Sequence, residues 1–275
     1  MTAPGAASLA KAQRISRDGA STAITELVAE EEPVALVYNG VSHAVMMATP
    51  LDLEDFGLGF SLSEGILGSK AELFDLAVVR QEAGAEVRMA IALDRFALLR
   101  ERRRSLIGRT GCGICGVESL SEAVRKAAPV ASNFFTDFAA IYRALGQLPQ
   151  LQAVNKLTHS VHAAAWSDGS GQIVLAREDV GRHNALDKLI GAMAWRGMEF
   201  GRGFAVITSR CSVEMVQKAA SVGMPMVVAI SAPTALACRL AESCDMTMVA
   251  LARADSFMVL THPHRIVQNR EQAAS

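Results

Sequence analysis

A mixed α/β fold, with a mostly parallel sheet in its C-terminal half, is what this sequence predicts. Three observations predict it. From about Val161 onward, short apolar and β-branched runs recur: "QIVLA", "GFAVIT", "MPMVVAIS" and "DMTMVALA". Helix-length segments separate them: "NALDKLIGAMAW", "SVEMVQKAASV" and "PTALACRLAES". The runs are apolar at successive positions, so both of their faces are to be covered by helices. The first half has a different rhythm, strand pairs around one helix, and is expected as a smaller α+β subdomain. The division this implies is a tail over residues 1–30, the N-terminal subdomain over 31–130 and the α/β domain over 131–275.

Each element has its own signal. The opening "MTAPGAASLAKAQRISRDGAS" is small and polar-basic, without the apolar core of a secretory signal, and is expected as a poorly ordered tail. Residues 33–50, "PVALVYNGVSHAVMMATP", hold two β-rich runs around Asn39-Gly40, a hairpin signal. "DLEDFGLGFSLSEGIL" starts acidic and places apolar residues at Phe56, Phe60 and Leu62, which predicts a helix. "LAVVRQEAGAEVRMAIAL" predicts a second strand pair around Ala83-Gly84. The basic run Arg100, Arg102, Arg103 and Arg104 reads as a solvated helix face leading into the glycine-rich "RTGCGICGVES". "ESLSEAVRKA" and the stretch around "DFAAIYRALGQL" are expected helices.

Composition narrows the function. A formal net charge of -1 gives no whole-molecule reason to expect nucleic acid or an acidic membrane as partner. The least charged long run, residues 223–238, contains two prolines and is too short to span a bilayer. Five cysteines, an odd number, point to the reducing cytoplasm, where thiols serve metals or chemistry. The twelve methionines fall mainly in apolar runs and read as core filling.

In a sheet of this kind ligands bind beyond the carboxyl ends of the strands, at helix N-termini. There the sequence offers "REDVGRHN" with Arg177, Asp179, Arg182, His183 and Asn184, then "SRCS" with Ser209 and Arg210. It also offers "SAPT" with Ser231 and Thr234, and "RADS" with Arg253 and Ser256. Taken singly, Ser212, Ser231 and Pro233 are explained as helix starts. Four arginines on one edge, beside free helix amides, point further, to a phosphate-bearing ligand such as a nucleotide or phosphorylated cofactor.

Cys112 and Cys115 are the only C-x-x-C pair, set among Gly111, Gly113 and Gly116. The alternatives are an inert turn, a zinc half-site, a redox pair and a sulfur-carrying nucleophile. A zinc site lacks a second pair, Cys211, Cys238 and Cys244 reading as small buried residues, and a zinc deaminase would need an H-x-E element that none of the six histidines supplies. No structural zinc is therefore expected. The spacing and Arg109 favour a thiolate, and the glycines a loop that moves. His159 and His162 lack a third ligand and read as hydrogen-bonding residues.

In order along the chain, "TPLDLEDFGLGFSLSEGI", "GRTGCGICG", "REDVGRHNALDKLIG", "SRCSVEMVQKA", "SAPTALA" and "THPHRI" resemble the formate dehydrogenase accessory sulfurtransferases of the FdhD type. The resemblance covers nearly everything beyond the first thirty or so residues. It implies a C-terminal α/β domain layered like a cytidine deaminase, without the zinc. It implies a sulfur carrier that takes persulfide sulfur from a cysteine desulfurase and passes it to the molybdenum cofactor as bis-molybdopterin guanine dinucleotide. The recipient enzyme would be formate dehydrogenase, and the carrier a homodimer. Cys112 would be the persulfide carrier and Cys115 its partner thiol. "LARADS", that is Leu251, Ala252, Arg253, Ala254, Asp255 and Ser256, matches the family's cofactor-contact stretch, with Leu251 where an aromatic residue usually stands. "SRCS" departs as well, with Ser209 where glycine is common and Cys211 where a small apolar residue is common. Two other readings remain: a non-catalytic cofactor-binding chaperone with a redox-sensitive cysteine pair, and a thiol-disulfide oxidoreductase.

Overall fold

The computed structural model describes residues 5–107 and 128–268. Residues 1–30, read as a tail, instead contain an antiparallel hairpin. Its strands β1 (Ala7–Ile15) and β2 (Ser21–Ala29) pair from Ala7↔Ala29 to Ile15↔Ser21. The small, polar composition hides two ordinary causes of a hairpin. Thr22, Ile24 and Thr25 favour strand, and Asp18-Gly19 turns the chain, with Gly19 at φ 86 and the Asp18 carboxylate accepting from the Ala20 N–H at 3.1 Å.

The four-stranded sheet follows. β3 (Glu32–Tyr38) and β4 (Val41–Ala48) form the expected hairpin, with Asn39 and Gly40 both at positive φ, 47 and 81. β5 (Leu73–Gln81) and β6 (Gly84–Ile91) form the second pair, and the order is β4-β3-β6-β5 with β3 parallel to β6. The intervening helix α1 (Leu53–Ser63) is buried on nearly every side, which its run of Leu53, Phe56, Leu58, Phe60 and Leu62 requires. Helix α2 (Leu93–Ile107) carries the basic run.

The second half contains α3 (Phe138–Leu151), the single turn α4 (Asn155–Thr158), α5 (Arg182–Trp195), α6 (Val213–Ser221) and α7 (Ala235–Ser243). A short strand β7 (Thr136–Asp137) pairs with a last one, β14 (Ile266–Val267). Between them run β8 (His162–Asp168), β9 (Ile173–Asp179), β10 (Gly203–Ile207), β11 (Met226–Ala229), β12 (Thr247–Ala250) and β13 (Met258–Thr261). Their order is β13-β12-β11-β10-β8-β9.

This sheet is mixed, not mostly parallel. β10·β11 and β11·β12 are parallel, while β8·β9, β8·β10 and β12·β13 are antiparallel. Connection length decides it: a parallel return needs a crossover of about a dozen residues or more, and residues 169–172 and 251–257 are too few. Because β8 opposes both β9 and β10, strands β9, β10, β11 and β12 still run in one direction. Their four exits share an edge, as expected.

Both sheet faces are covered. Phe204, Val206 and Val228 pack with Ile141, Ala144 and Leu148 of α3. Ala205, Ile207, Val227 and Ala229 belong to a core that also takes in Leu186 and Leu189 of α5, and it continues through α1 to Val34, Leu36 and Val87 of the small sheet. Ionic contacts lock the same layer: the Ser63 hydroxyl donates to Asp187 at 2.6 Å, and Lys218 reaches Asp187 and Glu64, each at 2.9 Å. Among the described residues no helix is long and apolar enough to cross a membrane.

Candidate functional site

The exits of β10, β11 and β12 are stitched together by backbone bonds. The Cys211 N–H donates to Ala232 O at 3.2 Å and the Thr234 N–H to Cys211 O at 3.1 Å. The Leu251 N–H donates to Ser231 O at 3.2 Å. Cys211 is therefore a buried staple, and burial pushes its thiol up to about 12, far from reactivity at neutral pH. Thr234 caps α7 by accepting from the Ala237 N–H at 3.2 Å. Ser209 is turned inward, its hydroxyl donating to Arg210 O at 3.0 Å. Arg210 is exposed, and so are Leu251, Arg253, Ala254, Asp255 and Ser256. Ala252 is buried beneath them, and the Arg253 N–H donates to Ser256 O at 2.7 Å, which closes that loop.

"REDVGRHN" divides into scaffold and surface. Asp179 is fully buried and does not face the edge. Its carboxylate meets Lys188 Nζ at 2.6 Å and accepts from the N–H groups of Thr49 and Gly181 at 3.0 and 2.7 Å and from Asn184 Nδ2 at 3.0 Å. Asn184 is likewise interior, also donating to Met47 O at 2.8 Å. Arg177 is held away from the edge by Asp55 at 2.7 Å, in the first turn of α1. Expected with the ligand-facing groups, these three fix the turn that launches α5. The next two residues are presented by it.

Arg182 Nε and His183 Nε2 are both buried, and neither has a hydrogen-bond partner among the described residues. Buried polar atoms are otherwise almost always paired, so two adjacent orphans at the first turn of a fourteen-residue helix mark a place built for a ligand atom. The local field agrees. Burial, and after it the Arg182 charge, hold both His162 and His183 below the ordinary imidazole range, His183 down to about 4. Glu214 and Glu64 oppose this at His183, less strongly than Arg182 and Lys218 favour it. The edge is positive and its imidazoles are neutral at pH 7.

The sign of the pH effect follows. His183 takes its proton later in the folded chain than in the unfolded one, so it withdraws stability as pH falls from about 6.5 to about 4. In a two-dimensional NMR titration the His183 ring is expected to move with a midpoint near 4. Arg182→Ala should raise that midpoint. An ordinary midpoint near 6.5 in the parent protein would contradict this geometry.

His162, read only as a hydrogen-bonding residue, stands at this edge at the start of β8. No motif in the sequence points to Lys188. Its helix is buried at every position from Asn184 to Met193, so a lysine there has no solvent face and must find a buried partner. Cys112 and Cys115, with the helix expected over residues 118–127, lie outside the described residues.

Residues 29–267 match the model of the FdhD/NarQ family. The "Sulfur carrier protein FdhD" of Cupriavidus necator is 52% identical over 87% of this chain and 83% of its own length. The protein of that name from Xanthomonas euvesicatoria is 50% identical over 94% and 92%. Among solved structures, a chain described as a formate dehydrogenase accessory protein, from Desulfotalea psychrophila, superposes with a TM-score of 0.77. Its identity is 25%, and the match covers 95% of this chain and 99% of that one. With its model spanning most of the sequence and relatives at half identity, the chain belongs to the FdhD/NarQ family.

Proposed function

We propose that this protein is a sulfur carrier for formate dehydrogenase maturation. In this reading it takes persulfide sulfur from a cysteine desulfurase onto Cys112. It hands that sulfur to the molybdenum cofactor in its bis-molybdopterin guanine dinucleotide form, before the cofactor enters the catalytic subunit. The observation that carries the reading is the exit edge, where the buried Arg182 Nε and His183 Nε2 have no partner among the described residues and Arg210 and Arg253 are exposed. A dinucleotide brings diphosphates, and this edge offers charge and helix amides to receive them. A nucleotide resembling guanosine diphosphate is expected to compete for the same place. The relatives' names support the sulfur chemistry. The reading includes a cytoplasmic homodimer whose C-terminal half is layered like a cytidine deaminase without its zinc.

The chemistry balances with the two thiols alone. Cys112 thiolate attacks the terminal sulfur of the donor persulfide. The donor's S–S bond breaks, its cysteine leaves as thiolate, and Cys112 becomes the persulfide. Cys115 thiolate then attacks Cys112 Sγ, forming the disulfide and expelling hydrosulfide, so the two thiols supply the two electrons that reduce the carried sulfur. The disulfide is reduced before the next cycle by a cellular dithiol.

The test is intact-protein mass after incubation with a cysteine desulfurase and cysteine, followed by peptide mapping without reductant. One added sulfur on Cys112, absent from Cys112→Ala, is the expected result. Cys115→Ala should still load but release sulfide only when external thiol is added. No added sulfur, under conditions that load another acceptor, would overturn the carrier reading in favour of a cofactor-binding chaperone.

A further inference from the structure

At the opposite edge of the six-stranded sheet, where β12 begins, three side chains with metal-ligating atoms converge. Asp245 precedes β12, and His262 and His264 flank Pro263 just after β13. One ligand atom from each lies within 4.8 Å of the others. His262 Nδ1 stands 3.1 Å from Asp245 Oδ1, and the two imidazoles meet edge to face at 5.7 Å between centroids.

The hydrogen bonds around these atoms are those of a prepared ligand set. His262 Nε2 is 3.0 Å from the backbone carbonyl of Glu242, so its N–H is used there and the ring's orientation is fixed. Nδ1 faces the Asp245 carboxylate oxygen, a contact that a second ring proton satisfies as an ion pair and that a metal ion can take over in place of that proton. A metal-bound histidine commonly donates its other N–H to a carbonyl in this way. Arg265, 3% exposed, donates to the other carboxylate oxygen, Oδ2, at 2.9 Å, and so aims Oδ1 at the histidine. Distances agree as well: tetrahedral bonds of about 2.0–2.1 Å place ligand atoms roughly 3.3 Å apart. His264 is exposed and can close on the pair by side-chain rotation.

We propose that Asp245, His262 and His264 bind one divalent transition-metal ion of the borderline class that imidazole and carboxylate share, with zinc as the type, water completing the coordination. The ion ties the chain before β12 to the chain after β13. It thereby staples the edge of the sheet remote from the arginines. Such an ion runs against the expectation of no structural zinc, which was argued from the cysteines and the missing H-x-E element and did not weigh Asp245 with His262 and His264; it does not depend on the sulfur-carrier reading.

Cobalt(II) is the probe, titrated into the full chain carrying Cys112→Ser and Cys115→Ser, so that those thiolates contribute nothing to its visible absorption. One saturable equivalent with an N/O-ligand spectrum is expected, together with a rise in Tm when cobalt is added. His264→Ala changes an exposed side chain, so its metal-free Tm should match the parent's. Its cobalt affinity should fall more than about tenfold, and its Tm should no longer respond to cobalt. Absence of saturable binding in the parent overturns the proposal. So does undiminished affinity in His264→Ala, since the ion would then sit elsewhere.

Discussion

Asp179→Ala is expected to destabilise the protein by about 5 kcal/mol, and Lys188→Met by about 3 kcal/mol, the upper and lower ends of the range for breaking a buried ion pair. The asymmetry comes from what each substitution leaves behind. Without Lys188, the Asp179 carboxylate still accepts from the N–H groups of Thr49 and Gly181 and from Asn184 Nδ2. Without Asp179, the Thr49 and Gly181 N–H groups lose their acceptor, Asn184 Nδ2 is left with Met47 O, and among the described residues a fully buried ammonium keeps only Thr49 O at 2.8 Å. Burial already pushes the Lys188 pKa down against the pull of Asp179, so removing Asp179 leaves nothing at that oxygen position to hold the proton on. Urea denaturation checks this through the midpoint, provided the slope is unchanged. Equal losses, or a loss for Lys188→Met within about 1 kcal/mol, would show that the pair is not the sealed contact described here. The consequence reaches the exit edge. The turn through Asp179 and Gly181 starts α5 and sets the positions of Arg182 and His183, so a loosened turn should also raise the His183 midpoint.

What the sequence made legible, and what it did not, follows the same physics. Strands β10 to β12 and the helices between them announce themselves because burial on two faces needs unbroken apolar runs, and a run's composition is local. The antiparallel partners were harder. "AAAWSDGSGQIVLA" does hold a usable hairpin signal, an Asp-Gly turn between apolar runs. β13 lies in "SFMVLTHP" with no such turn before it. Within "REDVGRHN" neighbouring residues part company, Asp179 and Asn184 going inward and Arg182 and His183 to the edge. A linear string cannot make that division, because it depends on Lys188, Thr49 and Met47 arriving from elsewhere in the chain. The metal-ligating cluster is hidden for the same reason: "THPHRI" shows two histidines, but Asp245 comes from before the adjacent strand.

The glycines of α1 and α5 complete the case, since their meaning exists only where the two helices cross. A Cβ built on Gly59 would lie 1.7 Å from Asp187 O, and one on Gly191 would lie 1.9 Å from Asp55 O. Each obstacle is helix backbone, so neither can turn aside as a flexible side chain would. Gly59→Ala and Gly191→Ala should each gain up to about 1 kcal/mol in helix propensity. Against this stands the cost of forcing the helices apart in a filled core, at the top of the usual range for overpacking, about 3 kcal/mol or more. Repulsion wins, and a net loss of roughly 2 kcal/mol or more should lower Tm by several degrees. Gly146→Ala in α3 is the counterpart: its Cβ would meet nothing within 4 Å, so propensity acts alone and a gain of about 0.5–1 kcal/mol is expected. The same amino-acid change thus has opposite signs in two helices of one protein, decided by what stands across from the new methyl group. The loss at Gly191 should also be felt at the site. Moving α5 off α1 strains the Arg177–Asp55 pair that flanks the launching turn, so His183 in Gly191→Ala should titrate above its parent midpoint, whereas Gly146→Ala should leave it unmoved.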